Sequence, residues 1–254
     1  MSACLQGQVI LNTRPAHQQA ALTALLEADG ARVLSFPAIQ IVLHEPSVPL
    51  QSMHDFDVLL FVSRNAVDGA ARCFDMAQLP STIELGVIGS ATREALRACL
   101  RDRGIWLVAE PPFNSETLLA CPGLQQMQGR RVAIFRGQAG RNLLGDELSR
   151  RSAEVEYFEV YRRQLPEIES GALSELCRPE FPSLIVLTSD EGLNNLIRLA
   201  DAATWRRLCA TPWLLISERM RESALKLGHN APVIIATQAS DVGIHRSICA
   251  WASQ

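Results

Sequence analysis

Six short polar stretches carry the residues able to do chemistry in this chain. They are Thr13-Arg14-Pro15, Ser63-Arg64-Asn65, Gly89-Ser90-Ala91-Thr92, Arg136-Gly137-Gln138-Ala139-Gly140-Arg141, Thr188-Ser189-Asp190 and Ser217-Glu218-Arg219. Each follows a short apolar run and precedes a helical pattern. A helix starting there offers backbone N–H groups with no intrahelical partner and a partial positive charge, which suit carboxylates or phosphates. Hydroxyls and the guanidinium groups of Arg14, Arg64 and Arg141 add side-chain donors. Arg64 reads better as a solvated surface residue. Ser63, Ser90, Thr188 and Ser189 have a second reading as plain helix caps. Repetition favours a ligand site, because three such turns come from each half of the chain.

Other chemistries find no support. Arg136–Arg141 has two glycines only and is not a dinucleotide-binding G-x-G-x-x-G, and no phosphate-binding G-x-x-x-x-G-K-[ST] occurs. There is no G-x-S-x-G nucleophile turn, and Gly89-Ser90 lacks a His and an Asp in the required context. The seven cysteines are odd in number, far apart and without a C-x-x-C pair, which reads as reduced structural thiols. The five histidines show no ligand spacing with them, so no zinc site is expected. The expectation is a reaction without metal or cofactor.

The 254 residues are 48% hydrophobic and 20% charged, which is globular composition. A net charge of −3 gives no global field for nucleic acid or an acidic membrane, so an anionic ligand must be held locally. No apolar run approaches the roughly 20 residues that span a bilayer. Met1–Gln8 lacks a basic segment leading into an apolar one. A cytoplasmic enzyme is expected.

The elements that must position these turns follow from the patterning. Strands are expected at Val9–Asn12, Val33–Phe36, Val58–Val62, Leu85–Ile88, Trp106–Val108, Val132–Phe135, Val155–Phe158, Leu184–Thr188, Trp213–Ile216 and Val233–Ile235. Helices are expected over about 16–29, 65–76, 90–103, 115–121, 139–151, 190–200, 204–209, 218–227 and 239–252. Ser90 and Ser115 stand at two of the helix starts. Such βα alternation predicts a parallel, doubly wound sheet.

The second half echoes the first. Val132–Tyr157 repeats the strand, turn, helix, strand order of Val9–Leu34. Leu184-Ile-Val-Leu-Thr-Ser189 echoes Val58-Leu-Leu-Phe-Val-Ser63, and Trp213–Ile235 echoes Leu85–Val108. Shared order and a nearly constant offset favour a duplicated architecture over chance alignment of βα units. Ser35–His44 and Tyr157–Pro166 extend well past an ordinary strand, and both contain proline. They fit linkers, about 37–44 and 158–165. One domain is then discontinuous, 1–36 plus 166–254, and the other is 45–157. The expected fold is α/β: two doubly wound parallel-sheet domains, a two-stranded β linker and a cleft between them. Ligands of such sheets bind outside the carboxyl ends of the strands.

Thr13-Arg14-Pro15, Phe61-Val-Ser-Arg-Asn-Ala-Val67, Val87-Ile-Gly-Ser-Ala-Thr-Arg-Glu-Ala-Leu96, Asn114-Ser-Glu-Thr-Leu-Leu119, Arg136-Gly137 with Arg141, Leu144 and Leu148, and Val160-Tyr161-Arg162 occur in that order. Together this set resembles the uroporphyrinogen-III synthase family over nearly the whole chain. The resemblance implies a cofactor-independent hydro-lyase acting on hydroxymethylbilane, a linear tetrapyrrole with eight carboxylates. The terminal hydroxyl leaves as water, ring D inverts through azafulvene and spirocyclic intermediates, and uroporphyrinogen III closes. It further implies a monomer, with a transient contact to the preceding pathway enzyme and no nucleic-acid or membrane partner.

By that resemblance Tyr161 is the catalytic candidate, its phenol donating to the departing hydroxyl. The other reading packs its ring and points its hydroxyl at solvent. Substrate contacts are expected from Thr13, Arg14, Ser63, Asn65, Gly89, Ser90, Thr92, Ser115, Gly137, Arg141, Thr188, Ser189 and Ser217. Linker exposure would let Tyr161→Phe lower turnover modestly without disturbing packing. The chain departs from the family at Ile216-Ser-Glu-Arg-Met-Arg221, where I-G-P-T-T-A is usual, so no threonine contact carries over to Met220. Two alternatives share the two-lobed pattern: a non-catalytic small-ligand-binding protein and a glycosyltransferase. The second would need a nucleotide-diphosphate site that the sequence does not display.

Overall fold

The computed structural model describes residues 4–44, 46, 53–100 and 103–253. The chain divides into two compact units, Met1–Gln40 with Gln164–Gln254, and Ile41–Arg163. In chain order the strands are β1 (Val9–Asn12), β2 (Arg32–Ser35), β3 (Gln40–Leu43), β4 (Val58–Phe61), β5 (Glu84–Val87), β6 (Leu107–Val108), β7 (Arg131–Gly137), β8 (Glu154–Gln164), β9 (Leu184–Val186), β10 (Trp213–Leu215) and β11 (Val233–Ile235). The helices are α1 (Ala20–Ala28), α2 (Arg64–Cys73), α3 (Ser90–Cys99), α4 (Ser115–Leu119), α5 (Leu143–Arg150), α6 (Ala172–Cys177), α7 (Asp190–Leu199), α8 (Ala202–Cys209), α9 (Glu218–Lys226) and α10 (Asp241–Ala252).

The discontinuous unit holds a parallel sheet ordered β11-β10-β9-β1-β2. Its inner strands β1, β9 and β10 are buried throughout, as a sheet covered by helices on both sides requires. Alternate residues feed two cores. Val9 and Leu11 join Ile185, Trp213 and Leu215 beneath α6 to α9, while Ile10 joins Leu184, Val186 and Leu214 beneath α1 and α10. Each fully buried aliphatic side chain contributes about 2 kcal/mol.

The second unit has a sheet ordered β3-β8-β7-β4-β5-β6, parallel from β8 to β6. Leu59, Phe61, Leu85 and Val87 pack under α2 and α3, while Val58, Leu60, Val132 and Ile134 pack under α4 and α5. The echoed segments occupy the same sheet positions in both units. The run β2-β1-β9-β10-β11 corresponds to β8-β7-β4-β5-β6. In each sheet the winding direction reverses beside the first echoed strand, between β1 and β9 and between β7 and β4. Ligands of doubly wound sheets bind at the carboxyl ends of the strands beside such a reversal.

Several elements differ from the expectation. The helix expected from residue 16 begins as a 3-10 turn, Ala16–Gln18, before α1. The helix expected from 139 begins at Leu143, because Ala139 adopts a positive φ of 58° in the turn that closes on Gly140. The helix expected over 65–76 stops at Cys73, and Met76–Gln78 is a separate 3-10 turn. The helix expected to run to 103 ends at Cys99, and positions 101 and 102 lie outside the described residues. So does Glu45, the expected start of the inserted domain. Helix α6 carried no expectation. Tyr157–Gln164 is the continuation of β8, and Pro37 and Pro166 fall outside any strand.

Candidate active site

In the second unit three predicted residues meet. Ser63 follows β4 in extended conformation and caps α2, its Oγ accepting the Ala66 N–H at 3.2 Å. The same hydroxyl donates to Tyr161 Oη at 3.0 Å. Tyr161 comes from β8, where the register with β7 slips by one residue between Arg136 and Gly137, so that Gly137 stands opposite Tyr161. Such a bulge re-aims a side chain. It joins Tyr161 to the core face that already holds Phe158 and Val160. Gly137 is required there: a Cβ would lie 2.6 Å from Tyr161 Cζ and 2.9 Å from its hydroxyl oxygen. The Gln138 N–H donates to the Tyr161 carbonyl at 2.8 Å and locks the bulge.

Two expectations about Tyr161 are thereby corrected. The side chain is not exposed, at 4% accessibility, and the hydroxyl meets Ser63 rather than solvent alone. Both hydroxyls can donate or accept, so with Ser63 as donor the phenolic proton can turn to another acceptor.

The remaining predicted residues of this unit line the same carboxyl edge. Gly89 caps α3 with a φ of 87°, and open space surrounds its Cα. The cap is thus Gly89, not Ser90, which is the exposed first residue of α3. Thr92 and Asn65 are buried in the first turns of α3 and α2. At α4 the cap is Asn114 rather than Ser115, and it forms a reciprocal box with Thr117. An asparagine directly ahead of a helical pattern is a legible cap signal. Arg141 is exposed and pairs with Glu116 at 3.6 Å, and Arg64 pairs with Asp68 at 3.6 Å.

In the discontinuous unit the turns are tied to one another. Thr13 is buried, and its Oγ donates to the Val186 carbonyl at 2.7 Å, joining the ends of β1 and β9. Arg14 donates from Nη1 to Asp241 at the start of α10, and its backbone N–H reaches Asn12 Oδ1 at 3.3 Å. Gln19 has no place in the sequence reading, yet its amide holds the carbonyls of Asn12 and Arg14 at 3.2 and 2.6 Å. Ser189 caps α7 through the Gly192 N–H at 3.0 Å, with Thr188 half-buried beside it. Asp190 pairs with Arg219 at 2.9 Å, linking the turns after β9 and β10.

Ser217 caps α9 through the Met220 N–H at 3.3 Å. Met220 itself is buried in the core, so the side chain in the family's threonine position packs and leaves Ser217 to satisfy the backbone. A fourth turn, after β11, was missed: Ser240 caps α10 through the Gly243 N–H at 3.1 Å. The Ser-Asp pair at 240–241 is a legible helix start.

The titrating groups argue against nucleophilic chemistry. Burial raises the thiols of Cys99, Cys121, Cys177 and Cys209 above their ordinary value. Burial, with hydrogen bonds to Cys4 and Asp29, pushes Cys249 up to about 12. A thiol needs a lowered value to act as a thiolate at neutral pH. Tyr157, the other tyrosine, is raised by burial and is structural: its hydroxyl bridges the Gly145 N–H and the Asn142 carbonyl at 3.1 and 2.9 Å. One expectation about spacing fails. His245 and Cys249 stand one turn apart on α10, 3.5 Å from sulfur to ring nitrogen.

Two parallel sheets of matching strand order, each with polar βα turns at its carboxyl edge, define a two-unit α/β protein whose turns can take carboxylates. The family model for "Uroporphyrinogen-III synthase HemD" matches residues 20–243, and the chain belongs to that family. It is 30% identical over 233 residues to the uroporphyrinogen-III synthase of Escherichia coli, covering 86% of this chain and 91% of that one. It is 32% identical over 240 residues to the enzyme of Salmonella typhimurium, with the same coverage. Among solved structures, the uroporphyrinogen-III synthetase of Helicobacter pylori aligns with a TM-score of 0.61 at 11% identity, covering 96% of this chain and 99% of that one. A mutant uroporphyrinogen III synthase of Thermus thermophilus aligns with a TM-score of 0.54 at 20% identity, covering 95% and 99%. These last two speak for the fold alone.

Proposed function

We infer that the chain is a uroporphyrinogen-III synthase, a hydro-lyase that closes hydroxymethylbilane to uroporphyrinogen III with inversion of ring D and loss of water. The observation that carries the mechanism is the Tyr161 hydroxyl, fixed by Ser63 at 3.0 Å in a space that only Gly137 leaves open.

In this reading the Tyr161 O–H donates to the terminal hydroxyl of the bilane as its C–O bond breaks. Water leaves, and the pyrrole nitrogen lone pair forms the azafulvene. The substituted carbon of ring D attacks the azafulvene methylene and gives the spirocyclic intermediate. The bond from that carbon to the methylene joining rings C and D then breaks, the ring C azafulvene so formed is attacked by the free α carbon of ring D, and the proton this carbon loses returns to the Tyr161 oxygen. Ser63 keeps the Tyr161 oxygen supplied with a hydrogen bond, so the phenol's own proton points to substrate. Positioning supplies the rest: holding two reacting ends in contact lowers a barrier by roughly 7–11 kcal/mol in favourable systems.

The eight carboxylates are taken by the polar turns. Backbone N–H groups around Gly89, Ser90, Ser115, Gly137, Thr188, Ser189 and Ser217 are the donors, with the side chains of Arg14, Asn65, Thr92 and Arg141 beside them and Thr13, tied to the Val186 carbonyl, positioning the Arg14 turn. Dispersed donors, most of them neutral backbone N–H groups, fit a chain whose net charge is −3. No helix among the described residues is long and apolar enough to cross a membrane. The enzyme is read as a cytoplasmic monomer that receives its unstable substrate by transient contact with the enzyme before it.

The test is product analysis. Freshly prepared hydroxymethylbilane incubated with the purified chain should yield the III isomer. Only the spontaneous I isomer, from a folded preparation, would refute the reading and favour a non-catalytic binding protein.

A further inference from the structure

Away from these turns, four metal-ligating side chains converge in the discontinuous unit. Cys4 lies in the turn before β1, Asp29 directly follows α1, and His245 and Cys249 share one face of α10. Their sequence separation hides the cluster, because the packing of α10 on α1 around Leu22, Leu26, Ile244 and Ile248 creates it. The Cys4 and Cys249 sulfurs are 2.7 Å apart. Asp29 Oδ2 lies 3.4 Å from Cys4 Sγ, 3.5 Å from Cys249 Sγ and 2.7 Å from His245 Nε2. All four residues are half-buried, so solvent and ions can reach them. The two sulfurs and the carboxylate oxygen lie mutually close enough to share one ion.

Without an ion this arrangement is awkward. Three X–H donors compete for one carboxylate oxygen, and two sulfurs stand closer than unbonded thiols favour. A divalent cation takes the place of the competing protons, and zinc bound to both sulfurs at about 2.3 Å would set them about 3.7 Å apart, so binding spreads the two thiolates by about 1 Å. Two thiolates exclude the hard cations, which want oxygen, and the carboxylate ligand favours zinc over copper(I).

We propose that Cys4, Asp29 and Cys249 bind one zinc(II) ion, oriented by the His245–Asp29 hydrogen bond, and that this ion staples the N-terminal turn to the C-terminal helix. Binding replaces two thiol protons, which pass to solvent, by two Zn–S bonds; no oxidant or reductant takes part. The carboxylate supplies the third ligand and water the fourth. The imidazole holds Asp29 in its ligating rotamer, as hydrogen-bonded partners of metal ligands do. The site lies outside the proposed catalytic turns, so the staple acts on stability and not on the ring closure.

The full-length protein, reduced and stripped with a chelator, is titrated with cobalt(II) and then with zinc(II). One equivalent of cobalt should raise a thiolate-to-metal charge-transfer band. Zinc should abolish that band, and zinc addition should raise the melting temperature. Cys4→Ser, in a partly exposed turn, and Cys249→Ser should each weaken zinc by at least about 100-fold. His245→Gln should weaken it about 10- to 100-fold. Isomer III formation should persist in Cys4→Ser, which verifies its fold. The proposal is overturned if the reduced protein shows no thiolate band, or if the band survives in both cysteine variants. It is equally overturned if Cys4 and Cys249 prove to be joined as a disulfide that, once reduced, binds no metal.

Discussion

Replacing Gly137 by alanine probes how tightly the Tyr161 hydroxyl is placed. The new Cβ would meet Tyr161 Cζ at 2.6 Å, Cε2 at 2.7 Å and Oη at 2.9 Å. Carbon atoms in contact prefer about 3.5–4.0 Å, so the ring must retreat by roughly 1 Å. The ring is walled in by the Phe135 and Phe158 core, and that movement strains packing at a cost of about 1–3 kcal/mol. It also draws Oη away from Ser63, whose oxygen is held by the Ala66 N–H and cannot follow freely. A displacement of about 1 Å at a reacting group costs about 100-fold in rate. Gly123→Ala is the control: its Cβ meets Leu107 Cδ2 at 2.8 Å, a similar overlap, but on β6 at the far edge of the sheet. The assay is kcat for isomer III formation beside a thermal melt of each variant. Both variants should melt lower, and only Gly137→Ala should lose kcat by about two orders of magnitude. A folded Gly137→Ala enzyme with wild-type kcat would refute the placement argument.

Tyr161→Phe keeps the buried ring and removes the proton donor; turnover should fall about 100-fold, the low end for general acid catalysis because the bilane is reactive by itself. Steady-state kinetics with isomer analysis checks this, and wild-type turnover would remove the acid role. Arg14→Ala should raise the KM for hydroxymethylbilane several-fold while leaving kcat nearly intact, measured by the same assay. Asn114→Ala breaks the reciprocal cap of α4 and should cost about 1 kcal/mol in denaturant unfolding, with activity lost only if that turn binds substrate. Burial of His229 against Trp213, ring centroids 4.0 Å apart, holds its imidazole below the ordinary value, against a weaker opposite pull from backbone groups at Pro232, Ala231 and Cys209. A lowered folded value means the unfolded chain binds the proton first. Stability is therefore full above about pH 6.5 and falls as pH drops through that value, at up to about 1.4 kcal/mol per pH unit for one group. Denaturant unfolding at stepped pH should show this slope, and His229→Phe should flatten it.

How far the residues alone led depends on what each feature rests on. Strands β9 and β10 form where the apolar runs stand, because a parallel strand buried on both faces must be apolar throughout. The caps at Ser63 and Ser189 were visible because a hydroxyl ahead of an amphipathic run is a strong helix-start signal. Helix α6 was not visible, since it has only six residues and begins after Gly171 in left-handed conformation, with little periodicity to read. The bulge that aims Tyr161 was hidden for a different reason: a one-residue slip is a property of the β7–β8 pairing, and no periodicity in either strand records it. The family resemblance singled out Tyr161, but its burial and its bond to Ser63 came only with the fold. The meeting of Cys4, Asp29 and Cys249 likewise depends on helix packing across distant sequence, as the separation of 245 between the two cysteines shows.

Amide chemical-shift mapping with added uroporphyrinogen III tests most directly where the reaction is held. Perturbed amides should fall at Thr13–Arg14, Ser63–Asn65, Gly89–Thr92, Gly137–Arg141, Thr188–Ser189 and Ser217, with Tyr161 among the largest shifts. Perturbations that leave these turns untouched and gather instead along the groove beside the exposed Trp106 and Leu107 would contradict the account.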